Sequence, residues 1–153
     1  MTDTISKAMA LIERSRDPGE LRQIAANARQ KGELGVANAA DLRLYEVLPS
    51  AKAGTLDHDV WRTVHALEGI LTRERNRTTR LSRTRQMIDK YGEFETVRRL
   101  ILKEQSSDGF AMLIDRGMPD WTFESVTQRH PYRFDHEVLT RASARLRDAV
   151  TLR

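Results

Sequence analysis

Apolar side chains recur at helical spacing along almost the whole chain, and this periodicity constrains the fold more than any other feature. Between residues 57 and 75, Val60, Val64, Leu67 and Leu71 recur every three or four residues, which places them on one face of an α-helix. No stretch shows the sustained alternation of apolar and polar residues that is typical of a half-buried strand. The sequence therefore predicts an all-α fold, a compact bundle of about eight or nine short helices.

Two of these helices are expected to form a hairpin near the N-terminus. Asp17 can cap a helix whose first residue is Pro18, and Glu20 stands where a capping box requires an acidic side chain. The apolar stripe that follows ends at Gly32, and a second stripe runs on to Pro49. We therefore predict an N-terminal helical hairpin in residues 1–50, a linker over residues 49–56 and a C-terminal helical domain in residues 57–153.

The core of the C-terminal domain must be mostly aliphatic, because aromatic residues make up only 6% of the chain. The core is nevertheless expected to contain at least four of six aromatic residues: Trp61, Phe110, Trp121, Phe123, Tyr132 and Phe134. Apolar residues that recur every three or four positions along the predicted helices are expected to be buried. These residues are Val64, Leu67, Leu71, Leu100, Ile101, Leu113, Phe123, Val126, Leu139 and Leu146.

Positive charge is concentrated in one short segment. The whole chain has 26 basic and 22 acidic residues, a formal net charge of +4. Residues 72–90 alone contain seven basic and two acidic residues, a net charge of +5, so the remaining residues sum to −1. A local excess of this kind is what a polyanion-binding surface requires.

The basic segment, residues 73–90, interleaves arginine with hydroxyl side chains. Arginine offers phosphate a planar fork of donors, and serine or threonine adds a shorter donor. On a continuous helix, Arg73, Arg77, Arg80 and Thr84 would form one stripe, whereas Arg83, Gln86 and Lys90 would form another. The segment predicts a nucleic-acid-binding protein, with DNA as the expected partner. The predicted contact residues are Arg73, Arg77, Arg80, Arg83, Thr84, Arg85 and Lys90.

Two alternatives to nucleic-acid binding remain open at this point. In the first, the segment is a solvated helix face that pairs with acidic neighbours such as Glu68, Glu74, Glu93 or Glu95. In the second, the protein is an adaptor or regulatory module in which the alanine-rich hairpin supports a homodimer. A membrane partner is not expected, because the segment lacks a broad apolar face and no run of the chain is long enough to span a bilayer.

Two glycines stand where a helix-turn-helix DNA-binding motif would need its turn. Around Gly92 two of the four required apolar positions are filled, by Met87 and Ile101, while Glu93 and Arg98 occupy the other two, although the helix that follows is basic. Around Gly117 the apolar pattern fits better, and the second helix would present Trp121, Glu124, Ser125, Gln128 and Arg129. A helix-turn-helix regulator is therefore a hypothesis, while an ordinary core helix pair explains the same spacing.

Few residues suggest catalysis or metal binding. The chain has no cysteine, which excludes disulfides, thiolate zinc sites and cysteine nucleophiles. His58 and His65 are seven residues apart and lack diagnostic partners, and His130 is expected to stabilise a helix end. No phosphate-binding glycine loop, nucleophile elbow or zinc-protease motif occurs. We therefore predict no enzymatic activity, no catalytic residue, no metal and no cofactor, with a hydrolase or nuclease that lacks a recognised motif as a third alternative. Without a signal peptide, a cytoplasmic location is expected.

Overall fold

The computed structural model describes Asp3–Thr151, and these residues form eight α-helices, one short 3-10 helix and no strand. This confirms the predicted all-α fold. Residues 1, 2, 152 and 153 of the predicted domains lie outside the described residues. The helices are α1 (Asp3–Arg14), α2 (Pro18–Gln30), α3 (Leu34–Val47), α4 (Leu56–Arg75), α5 (Ser82–Leu102), α6 (Asp108–Asp115), α7 (Phe123–Arg129) and α8 (His136–Thr151), with the 3-10 helix over Pro119–Trp121.

The helices belong to two compact units, which divide between Ser50 and Ala51. In the first unit, α2 and α3 pack closely as the predicted hairpin, and α1 packs against both. In the turn between α2 and α3, Gly32 has a φ of 76°, a conformation that glycine adopts without strain. Because Ala25 and Ala28 on α2 and Ala40 on α3 are small and buried, the two helices can approach closely.

The start of α2 differs from the predicted capping box. Asp17 is the N-cap, and its side chain accepts a hydrogen bond from the Gly19 amide at 2.9 Å, with Pro18 in the first turn. Glu20, however, accepts a hydrogen bond from the Ser15 hydroxyl at 2.6 Å. The Asp17 amide donates to the Ser15 hydroxyl instead of to Glu20. In a capping box the Glu20 side chain would accept from the Asp17 amide. Here the buried Ser15 hydroxyl lies between these two groups and bonds to both.

The second unit is built around α4, α5, α7 and α8. Val60 and Val64 on α4, Val97 and Ile101 on α5, and Val126 on α7 are fully buried in one aliphatic cluster. Four of the six aromatic residues are buried, as predicted, while Tyr132 is fully exposed. Most of the predicted core positions are buried. Four of them are only half-buried, namely Leu71, Leu100, Leu139 and Leu146, and of these Leu100 and Leu139 pack against the core cluster.

A kink divides α5 at Gly92. This residue has a φ of 83° and a ψ of 170°, values that lie outside the helical region and that glycine tolerates best. The sequence predicts two helices on either side of Gly92, and the structure has two helical arms that the kink joins. The first arm carries most of α5's exposed charge and one core residue, Ile88, and the second arm carries the buried residues Thr96, Val97 and Ile101.

No helix between Asp3 and Thr151 combines the length and the apolar character that a membrane span requires.

Candidate functional site

The basic segment bends around the corner between α4 and α5. It begins in the last turn of α4, continues through a connector over residues 76–81 and ends in the first arm of α5. Of the predicted contact residues, Thr84 and Arg85 are half-buried. The exposed basic side chains of the segment are Arg73, Arg75, Arg77, Arg80, Arg83 and Lys90.

The connector is held against the end of α4 by backbone conformation and by one hydroxyl. Asn76 adopts the left-handed conformation with a φ of 54°, which ends α4, and its amide donates to the Thr72 carbonyl. The Thr79 amide donates to the Thr72 hydroxyl at 2.9 Å. The Arg77 amide donates to the Thr72 carbonyl at 3.2 Å. The backbone that carries Arg77 and Arg80 is therefore fixed at both ends of the connector.

This break corrects one of the two predicted arginine stripes. Arg73, Arg77, Arg80 and Thr84 do not share a helix face, because Arg77 and Arg80 lie in the connector rather than on a helix. The second stripe has the expected form. Arg83, Gln86 and Lys90 all lie on the first arm of α5 and are exposed, three and seven residues apart.

One buried ion pair joins α4 to α5 beneath the corner. Glu68 on α4 accepts hydrogen bonds from Arg85 Nε at 2.6 Å and from Arg85 Nη2 at 2.8 Å, a bidentate pairing. The Leu81 amide at the start of α5 donates to the same carboxylate at 2.9 Å. The Arg85 guanidinium also lies 5.1 Å from the centre of the Trp61 ring. The Arg85 guanidinium is therefore engaged by Glu68 and Trp61 of its own chain.

The electrostatics of this pair favour the ionised carboxylate. Burial raises the pKa of Glu68, but the hydrogen bonds from Arg85 and from the Leu81 amide outweigh it and leave the pKa below its ordinary value. The same pairing raises the pKa of Arg85. Both groups therefore stay charged over the whole neutral range.

Three of the acidic neighbours of the basic segment form ion pairs, and one of these pairs includes an arginine of the segment. Glu68 binds Arg85, and Glu74 forms an ion pair with Arg116, the residue that follows α6. Glu95 forms ion pairs with Arg98 and Arg99 on its own helix, at 3.3 and 2.8 Å. The alternative in which acidic neighbours neutralise the segment therefore holds for Arg85, which pairs with Glu68.

The helix that would read bases in a motif centred on Gly117 is buried. Phe123–Thr127 of α7 are all buried, and the Trp121 side chain is 8% exposed. Glu124 is 3% exposed and its carboxylate binds Arg145 of α8 at 3.1 Å. Of the side chains expected on the reading face, only Gln128 and Arg129 are exposed. At Gly92 the two arms of α5 meet at a kink.

A second polar cluster, which the sequence did not indicate, joins the start of α4 to the end of α7. Asp59 is buried, and its Oδ2 lies 2.6 Å from Nε2 of His130 and 3.3 Å from Nε of Arg129. Nδ1 of His58 lies 3.9 Å from Oδ1 of Asp59. Burial raises the pKa of Asp59, but the hydrogen bonds and charges of His130 and Arg129 outweigh it, so the pKa lies below its ordinary value.

This cluster lies in the wall of an open groove of about 820 Å³. Arg62 Nη2 and Arg129 Nη1 both donate to the Asp120 backbone carbonyl, at 3.0 and 2.8 Å. The Arg62 guanidinium also stacks 3.9 Å from the centre of the Trp121 ring. The groove is lined by Gly54, Asp59, Arg62, Asp120, Ser125, Gln128, Arg129, His130 and Leu146.

The described part of the chain holds no group of three or more histidine, aspartate and glutamate side chains that could bind a metal ion. The class of protein that fold and site define is thus an all-α protein with a basic corner and a separate polar groove. No protein-family model, no curated protein and no solved structure matches this chain.

Proposed function

We propose that this protein binds nucleic acid, with DNA as its expected partner, through phosphate contacts from the α4–α5 corner. The proposal includes a cytoplasmic location. The observation that carries the proposal is the exposure of six cationic side chains, namely Arg73, Arg75, Arg77, Arg80, Arg83 and Lys90, within one short segment. An exposed cluster of one sign raises the local concentration of a polyanion and neutralises its phosphates.

The fixed backbone of the connector supports the proposal. Because Thr72 holds the connector by hydrogen bonds, Arg77 and Arg80 extend from an ordered chain, and only their side chains must be ordered on binding. Exposed Ser82 and Thr78 lie between the arginines and can add hydroxyl donors. These groups recognise phosphate and not base edges, so binding is expected to depend little on sequence.

The burial of Arg85 changes the expected contact set. Its guanidinium is engaged by Glu68, so its release to a phosphate would leave a buried carboxylate unpaired. We therefore propose that Arg85 stabilises the α4–α5 corner through Glu68, and that Arg77, Arg80 and Arg83 contact the phosphates.

The test is the salt dependence of DNA binding, measured by fluorescence anisotropy on two unrelated duplexes. Each phosphate contact contributes about −0.9 to the slope of log affinity against log salt. The double variant Arg77→Gln/Arg80→Gln should flatten that slope by about 2 on both duplexes. The matched control is Arg16→Gln/Arg22→Gln, which removes the same charge from exposed positions of the first unit and should leave the slope unchanged.

Equal slopes for the wild-type protein and the corner variant would overturn the proposal. Equal flattening by both double variants would also overturn it, since net charge and not the corner would then control retention. Circular dichroism of each variant should match the wild type, because exposed charges contribute little to folding.

The second candidate is a homodimeric adaptor that self-associates through the first unit. It is supported by Leu34, which is 69% exposed at the start of α3, and by Met9, which is 37% exposed on α1. Light scattering of the full chain separates the candidates. A dimer that Leu34→Lys converts to a monomer, without change in DNA binding, would favour the adaptor.

A further inference from the structure

The groove beside Asp59 presents hydrogen-bond donors that the fold itself does not use. His130 faces Asp59 through Nε2, and within the described residues its Nδ1 makes no hydrogen bond. Arg129 donates through Nε and Nη1, and its Nη2 has no partner in the same part of the chain. Both residues line the groove.

The charges of the groove favour an anion when His130 is an imidazolium. His130 and Arg129 carry two positive charges against the one negative charge of Asp59, which both of them contact. Arg62 adds a further positive charge, and Asp120 a negative one, so the groove has a net charge of about +1. In this state His130 donates through Nε2 to Asp59 and through Nδ1 to the groove.

The groove lacks the nucleophile that would make it a covalent catalytic site. Ser125 lines it, but the Ser125 hydroxyl donates to the Pro119 carbonyl at 2.6 Å instead of to a histidine. An aspartate that orients a histidine is the geometry of acid–base catalysis, yet here the aspartate is also the anchor of Arg129. The arrangement therefore fits binding better than bond cleavage.

We propose that this groove binds a small oxyanion, a carboxylate or phosphate group, through Nδ1–H of His130 and Nη2 of Arg129. Imidazolium and guanidinium donors form charge-assisted hydrogen bonds with both anions. The site is separate from the basic corner. Asp59 and Arg73 are fourteen residues apart on α4, which corresponds to about 20 Å along the helix. The inference stands independently of nucleic-acid binding.

The test is a titration of the full chain with inorganic phosphate and, separately, with acetate, followed by NMR of the histidine imidazole nitrogens. His130 should shift with saturation, and exposed His136 on α8 should not. His130→Gln should weaken binding at least about tenfold, because it removes a charge-assisted donor, and His136→Gln should leave it unchanged.

A second variant keeps the test independent of folding. Asp120→Asn removes an exposed carboxylate from the groove and retains the backbone carbonyl to which Arg62 and Arg129 donate. It should tighten oxyanion binding about threefold, because like-charge repulsion is lost. A purely structural role for the cluster predicts no such gain.

Three results would overturn the proposal. The first is an equal response of His130 and His136 to both anions. The second is an Asp120→Asn variant that binds phosphate and acetate no better than the wild type. The third is a His130 shift with a DNA duplex and not with either small anion, which would make the groove part of a nucleic-acid surface. Arg77→Gln/Arg80→Gln changes only the basic corner. If this variant loses DNA binding and keeps oxyanion binding, the two sites act separately, so failure of one proposal can be told from failure of the other.

Discussion

Replacing Arg85 with glutamine removes the charged partner of a buried carboxylate. Breaking a fully buried ion pair in this way costs about 3–5 kcal/mol. The Glu68 and Arg85 side chains are 11% and 25% exposed, and Glu68 would keep the Leu81 amide as a donor. We therefore expect Arg85→Gln to lower the free energy of unfolding by about 2–3 kcal/mol. Arg83→Gln, two residues away and exposed, should cost less than about 0.5 kcal/mol.

Urea unfolding followed by tryptophan fluorescence measures this difference. Both tryptophans of the chain, Trp61 and Trp121, lie in the second unit, so the signal reports the unit that contains the pair. For a protein of this size, 2–3 kcal/mol corresponds to a midpoint shift of about 1–2 M urea. Equal midpoints for the Arg83 and Arg85 variants would refute the assignment of Arg85 to the support of the corner.

Acid provides a second measurement on the same pair. The folded-state pKa of Glu68 lies below its ordinary value. The contribution of the pair is therefore complete above the unfolded pKa of about 4.3 and is lost as the pH falls through the folded value. The stability gap between wild type and Arg85→Gln should thus close below about pH 4. A gap that stays constant from neutral pH to acid would mean that Arg85 stabilises through packing on Trp61 rather than through charge.

Two further substitutions test the core of the second unit by the same urea assay. Leu67→Ala should cost about 2–5 kcal/mol, because Leu67 is only 4% exposed; a cost below about 0.5 kcal/mol would contradict its burial. Burial raises the pKa of Glu124 more than Arg145 lowers it, so ionisation of Glu124 reduces stability as the pH rises from its unfolded value through its folded one. Glu124→Gln should therefore match the wild type near pH 4 and be up to about 1 kcal/mol more stable at pH 7, and a loss above about 2 kcal/mol would contradict the reasoning.

Local sequence patterns predicted the helices well because the causes of helix formation are local. The start of α4, expected near Asp57, lies at Leu56, where the Thr55 side chain caps the His58 amide. The ends near Gly32 and Gly92 follow from backbone conformations that favour glycine. Leu71 was expected in the core and is half-buried, because periodicity gives the apolar face of a helix but not the area that its neighbours cover.

The site was less predictable because its contacts are distant in sequence. Glu68 and Arg85 are 17 residues apart, and they meet only through the bend at Asn76. Asp59 and His130 are 71 residues apart, and no spacing rule brings them together. Charge density indicated the exposed arginines of the segment, whereas the burial of Arg85 and the groove around His130 depend on how α4, α5 and α7 pack.

The kink at Gly92 also divides α5 into a mostly exposed arm and an arm that packs mainly in the core. The Arg99 guanidinium on the second arm lies 3.8 Å from the centre of the Tyr91 ring on the first arm, so this contact joins the two arms across the kink. The second arm is fixed by Val97 and Ile101 in the core, while the first arm carries the exposed Arg83 and Lys90. Mutation can therefore alter the charge of one arm while the other keeps its register in the core.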